Sequence, residues 1–140
     1  MYCQYFKDGE VRGEYSKEFV SLWGGWLGSE NYHKLDEVEP QDWEKFNTFV
    51  SKVYSLYEMY TVTEEGEVLE KVNDISDVLS NYEESMNKEC SQFTKLVLPS
   101  VPCVITEEWD YTYIIWYKDR EKIAGILRCA KEVGLEHFQE

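Results

Sequence analysis

Residues 111–118 read Tyr111-Thr112-Tyr113-Ile114-Ile115-Trp116-Tyr117-Lys118. Every inner position is aromatic or β-branched, the composition of a strand. Alternation puts Tyr113, Ile115 and Tyr117 on one side and Ile114 and Trp116 on the other, so both faces of the sheet holding this strand should be covered. Helical stretches elsewhere supply that cover, and the fold class that follows is α+β.

On the N-terminal side of this strand, Glu107-Glu108-Trp109-Asp110 reads as the turn of a hairpin. Its other arm lies within 93–105, where Leu96-Val97-Leu98 and the run from Val101 to Ile105 are punctuated by Pro99 and Pro102, placing the prolines at strand ends or an edge. On the C-terminal side, Asp119 caps a last helix with the apolar stripe Ile123, Ile126, Leu127, Ala130 and Val133. Gly134 supplies its left-handed end, and Leu135 to Phe138 adds a short final strand.

The chain opens on another hairpin, in which Tyr2–Phe6 and Val11–Tyr15 flank Lys7-Asp8-Gly9-Glu10. Ser16 then caps a short helix, with Phe19, Leu22, Trp23 and Trp26 at helical spacing and a stop or bend at Gly24-Gly25. After a loop over 28–39, Pro40 opens a long helix whose stripe is Trp43, Phe46, Phe49, Val50, Val53, Tyr57 and Tyr60. Residues 61–66 read as an inter-helix turn, preferred over a short strand with a hairpin bend. Beyond it Val68, Val72, Ile75, Leu79, Tyr82 and Met86, widened by Leu69 and Val78, predict a second long helix over 66–88. The expected architecture is an antiparallel sheet from N-terminal and C-terminal hairpins, packed against about four helices that include a long central helical pair. All of it belongs to a single globular domain spanning 1–140, because 140 residues can bury one core without disulfides.

Acidic residues number 28 against 14 basic ones, a net charge of −14. Such a chain repels phosphate backbones and anionic bilayers, so neither direct nucleic-acid binding nor membrane binding is expected. No apolar run reaches spanning length. The first residues lack the basic start and apolar stretch of a secretory signal, which makes the cytoplasm the expected compartment. Cys3, Cys90, Cys103 and Cys129 form no C-x-x-C pair and read as free thiols, the last two as core residues.

The charge is concentrated: residues 30–89 carry 16 acids and 5 bases. On the predicted helix over 66–88, Glu67, Glu70, Asp74, Asp77 and Glu84 fall on the flank opposite the apolar stripe. Such a ridge either faces water or meets a basic groove. Glu107, Glu108, Trp109 and Asp110 form a second candidate contact, an indole ringed by acids at a hairpin tip, the alternative being a Trp109 that folds back on the sheet. Trp23-Gly24-Gly25-Trp26 is a third feature, either a place where a ligand approaches bare backbone or tight packing of a short helix.

Catalytic chemistry finds little support. His33 and His137 are the only histidines, neither with an acid at metal-motif spacing, and no nucleophile elbow, dinucleotide fingerprint or P-loop occurs. The acid pairs Glu64-Glu65 and Glu107-Glu108 are what chance adjacency produces among 28 acids. Asn73-Asp74-Ile75-Ser76-Asp77 lacks the glycine of a calcium loop. No cofactor and no metal are expected.

The whole profile, small, acidic, aromatic-rich and without a catalytic motif, is similar to that of bacterial toxin-neutralising immunity proteins and phage-encoded inhibitors of host defence. The likeness is carried by no individual motif. It implies a non-enzymatic protein that blocks a basic, nucleic-acid-acting partner protein through Glu67, Glu70, Asp74, Asp77 and Glu84, with Glu107, Glu108, Trp109 and Asp110 as a second contact or anchor. Two other readings stand beside it: a small-molecule binder with an aromatic pocket at Trp23, Trp26, Tyr113 and Trp116, and a carboxylate-metal enzyme.

Overall fold

The computed structural model describes residues 2–63, 67–89 and 92–139. The strand that decides the fold class is β8, Thr112–Tyr117, within a seven-stranded antiparallel sheet. In chain order the other members are β3 (Ser16–Ser21), β4 (Tyr60–Val62), β5 (Leu69–Lys71), β6 (Lys95–Leu98), β7 (Cys103–Glu108) and β9 (Glu136–Phe138). They lie in the order β5-β4-β6-β7-β8-β3-β9. The N-terminal hairpin, β1 (Phe6–Lys7) and β2 (Glu10–Val11), forms a separate two-stranded sheet, with Asp8 and Gly9 at positive φ in its turn.

Helices cover one face of the large sheet, and the N-terminal segment covers part of the other. Alternation sends Val20, Leu96, Leu98, Cys103, Ile105, Tyr113, Ile115 and Tyr117 toward helices α1 (Pro40–Leu56) and α3 (Ala124–Glu132), where they meet Phe46, Phe49, Val53, Ile126 and Ala130 in the main core. On the other face Val97 and Val104 lie under Tyr5, Phe6 and Tyr15 of the N-terminal segment, with Trp116 beside them. Three lysines cap aromatic rings there: Lys17 over Trp116 at 4.9 Å, Lys95 over Phe6 at 5.9 Å and Lys118 over Tyr15 at 5.0 Å.

Helix α1 begins where its proline predicts. Pro40 occupies the first turn, Glu39 is the N-cap, and the Asp42 carboxylate accepts a hydrogen bond from the Glu39 amide. The final helical segment lies where the sequence places it, with its first turn 3₁₀: Asp119 accepts from the Glu121 amide to cap Arg120–Ile123, which runs directly into α3, and Gly134 follows its end at φ +91°.

Two predicted helices are corrected. Residues 16–21 are strand β3, not a helix, paired along their whole length with β8 and partly with β9. The apolar residues at helical spacing serve different elements here. Phe19 faces one side of the sheet and Val20 the other, because pairing with a strongly strand-forming neighbour overrides local periodicity. The long helix over 66–88, and with it the central helical pair, is also absent. Its residues form β5, a 3₁₀ turn at Ile75–Asp77 and the short helix α2 (Tyr82–Met86). Of the two readings of 61–66 the short strand is the one found, with β4 pairing β5 from Tyr60↔Lys71 to Val62↔Leu69; residues 64–66 between them lie outside the described residues. Val72, Ile75, Val78, Leu79 and Tyr82 still turn inward onto the main core, but Val68 and Met86 at the two ends of the stripe are exposed and Leu69 packs on the opposite face of the sheet, so the rhythm located part of the burial and misread the conformation.

Local polar chemistry explains the break. Asp74 takes hydrogen bonds from the Ser76 amide and hydroxyl, closing a turn instead of extending a helix. Asn81 then caps α2 by accepting from the Glu84 amide, while Glu84 accepts from the Asn81 amide. Asn81→Ala is expected to cost about 1 kcal/mol of unfolding free energy. Urea denaturation reads this, and Asn81→Ser should recover most of it.

Among the described residues no helix is long and apolar enough to cross a membrane. Cys3, Cys103 and Cys129 are free, the last two buried as predicted. Cys90 and the pair Glu64-Glu65 lie outside the described residues.

Candidate functional site

The acidic residues of the central third do not form a ridge. Glu67 stands in a bend, Glu70 on the edge strand β5, Asp74 and Asp77 at the 3₁₀ turn and Glu84 in the first turn of α2. Asp74 and Glu84 are engaged as caps, and the Ser76 hydrogen bonds hold the Asp74 carboxyl below its ordinary range. Glu70 and Asp77 share a polar hollow of about 620 Å³ with Lys71, Lys88 and Lys95 of the same chain. The basis for treating these five as one surface was the helix, and the helix is not there.

The other two candidates, some eighty residues apart in sequence, come together. A cleft of about 290 Å³ is floored by Phe19 and Ser21 of β3 and by Thr112 and Ile114 of β8, which pair as Phe19↔Ile114 and Ser21↔Thr112. Trp23, Gly25, Trp26, Tyr32 and Leu35 wall it on one side, and Glu108, Trp109 and Asp110 close the other. It occupies the stretch of the sheet face that the N-terminal hairpin leaves uncovered.

Each wall has a local cause. The Ser21 hydroxyl accepts from the Trp23 amide and donates to the Trp23 carbonyl, bending the chain back over the sheet at the end of β3. Trp26 then packs edge-on against Phe19 at 4.7 Å and Phe138 at 5.1 Å. A Cβ built on Gly24 or Gly25 meets nothing within 4 Å, so tight packing does not account for the pair. Opposite, the three residues after β7 turn the hairpin with Asp110 and Tyr111 both left-handed, at φ 59° and 57°. For a tyrosine this is an uncommon, strained conformation. Trp109 does not fold back on the sheet: it packs edge-on against Phe93 at 4.7 Å and remains 59% exposed. With Trp26 at 58% and Tyr32 at 57%, three of the largest exposed apolar side chains surround one cleft.

Strand alternation divides the acid pair at the end of β7. Glu107 points to the helix side, buried, where Lys88 Nζ lies 3.0 Å from its carboxylate and the Thr94 amide donates to the same oxygen. It is therefore closed to a partner. Glu108 points to the cleft. Its Oε2 accepts from the Thr106 hydroxyl at 2.8 Å, and Thr106 Oγ1 accepts in turn from Trp116 Nε1 at 2.9 Å. Of the proposed aromatic pocket, Trp23 and Trp26 line the cleft, but Tyr113 is buried in the main core, stacked on Phe46, and its phenol is pushed far above its ordinary value by burial. Trp116 lies outside the cleft, under Lys17.

Sequence reasoning missed Phe19, Ser21 and Tyr32, the first two because their segment read as a helix. It also missed a buried ion cluster. Glu18, 1% exposed on the helix side of β3, accepts from Arg120 Nη1 at 2.5 Å and His137 Nδ1 at 2.6 Å. Burial alone would raise this carboxyl, but the two hydrogen bonds and the charges behind them outweigh it and hold Glu18 below the ordinary carboxylate range. The cluster ties β9 and the turn before α3 to the sheet. An acid at the inward position of a strand was the available signal.

Among the described residues no group of three or more His, Cys, Asp or Glu side chains is placed to hold a metal ion together. Comparison with known proteins finds no family model, curated protein or solved structure that matches this chain.

Proposed function

We propose that the chain is a non-enzymatic binding protein that docks a basic segment of a partner protein in the cleft between Trp26 and Trp109, and blocks the partner by covering that segment. The observation that carries this reading is the convergence of three largely exposed aromatic rings and two outward carboxylates, Glu108 and Asp110, around one concavity. Large exposed aromatic side chains that become buried on binding are what binding hot spots are made of. A net charge of −14 adds long-range attraction for a cationic partner and repels nucleic acid. A basic segment that would otherwise contact phosphates is occluded when it lies here.

The test is capture of partners from native host lysate with three proteins: the natural chain, a Trp26→Ala/Trp109→Ala variant, and Asp74→Lys/Asp77→Lys. A basic protein recovered by the first and third but lost by the second, and released by added salt, is the expected result. Charge reversal at Asp74 and Asp77 should weaken capture no more than about threefold, through the long-range field alone. Recovery that survives loss of both indoles refutes the reading.

A small-molecule ligand is a second reading, because the cleft approaches the size at which such sites begin, about 300 Å³. It predicts ligand-dependent thermal stabilisation with little sensitivity to salt.

A further inference from the structure

Resting on that reading, the geometry points to the occupant: we infer that the cleft receives the guanidinium group of an arginine side chain presented by the partner. Several aromatic rings on this side of the sheet are capped by a cation of the same chain. Trp116, Phe6 and Tyr15 each carry one of the chain's own lysines. Among the described residues no lysine, arginine or histidine lines the cleft, and none caps its rings. The exposed aromatic surface around the cleft has no cation of its own there, and it is flanked by outward acids.

Those acids are available. Neither Glu108 nor Asp110 forms a salt bridge with any described residue. Glu108 is also held in place from behind, since the Trp116–Thr106 pair engages Oε2 and leaves Oε1 for a donor entering the cleft. A carboxylate positioned before the ligand arrives loses less freedom on binding.

Arginine suits this arrangement better than lysine. A guanidinium stacks flat on an indole while its edge donates in-plane hydrogen bonds, so it can satisfy a ring and two carboxylates together. It is also more weakly hydrated and surrenders less on entering a largely apolar cleft. Lysine offers one compact charge that must leave strongly bound water and has no planar face.

The experiment is an NMR titration at low salt that follows the indole N–H signals of the full chain, using a glycine–serine peptide with one central arginine. Matched peptides carry lysine or citrulline, the latter neutral but of the same shape. The arginine peptide should shift the Trp26 and Trp109 signals and bind about three- to tenfold more tightly than the lysine peptide, with no saturable shift for citrulline. Glu108→Gln/Asp110→Asn keeps size and the left-handed backbone, and should weaken the arginine peptide about tenfold or more. Thr106→Val, outside the cleft, should weaken it about threefold by freeing Glu108.

Equal binding of arginine and lysine, saturable binding of citrulline, or shifts confined to other indoles would overturn the inference. If the arginine peptide shows no preference while partner capture still depends on Trp26 and Trp109, the occupant is wrong and the binding reading stands. If capture is also indifferent to both indoles, both fall.

Discussion

Trp109→Ala should lower affinity for the basic partner by about thirtyfold or more while leaving the fold almost as stable as before. The first part follows from position. An indole 59% exposed at the hairpin tip, with its edge contact to Phe93, brings a large apolar face to the interface. Truncating such an anchor typically removes about 2 kcal/mol or more, which is about thirtyfold in affinity. The second part follows from its surroundings, for among the described residues Phe93 is the one aromatic ring packed against it, and it is absent from the core. A loss below about 1 kcal/mol of stability is expected. Trp26→Ala is the less clean experiment, because Trp26 packs on Phe19 and Phe138 and its loss loosens β9 as well. Partner titration alongside thermal unfolding separates the two effects. A Trp109→Ala protein that binds normally would remove the hairpin tip from the interface.

Arg120→Ala is expected to destabilise the protein by about 2–3 kcal/mol, because it leaves the buried Glu18 carboxylate with one partner instead of two. Arg120 itself is nearly half exposed, so the loss falls short of that for a fully buried pair. For a domain of this size the unfolding midpoint should drop by roughly 8–12 °C. The cluster also sets a direction for acid. Because Glu18 binds its proton more weakly folded than unfolded, the unfolded chain takes up the proton first. The stabilisation is therefore complete above the unfolded carboxyl value of about 4.3 and is lost as pH falls through the lower folded value. The gap between natural and Arg120→Ala proteins should be full near neutrality and shrink below about pH 4. Denaturant unfolding at several pH values measures this. A gap that widens in acid would show that Glu18 is not the group being stabilised. Since β9 carries both His137 and Phe138, the same variant should loosen the wall behind Trp26 and weaken partner binding modestly.

The middle of the chain shows how far periodicity reaches. Val72, Ile75, Leu79 and Tyr82 recur at helical steps and do turn inward, yet Asp74 and Asn81 hydrogen-bond to nearby amides and divide the segment into a strand, a turn and a short helix. Hydrophobic spacing picks out the inward residues in the middle of the segment and fails at its ends, where Val68 and Met86 are exposed. Whether the backbone between them is helical depends also on side chains that compete for its hydrogen bonds. The candidate contacts fared by the same logic. Trp109 and the Trp23–Trp26 pair were identifiable because large indoles beside glycines or acids at a turn are locally unusual. That Glu107 is buried under Lys88 while Glu108 faces the cleft depended on the phase of β7 relative to the sheet.

The residues alone determined the α+β class, the helix opening at Pro40, the hairpin from β7 to β8, the capped final helix and the acidic charge, because each rests on chemistry confined to a few neighbouring positions. Tertiary structure decided that Ser16–Ser21 is a strand, that Glu18 finds Arg120 and His137, and that Trp26 and Trp109 face one another across a single cleft. These depend on which strand lies beside which, and strand order is set by the packing of distant segments on a shared core, a quantity no local stretch of sequence contains.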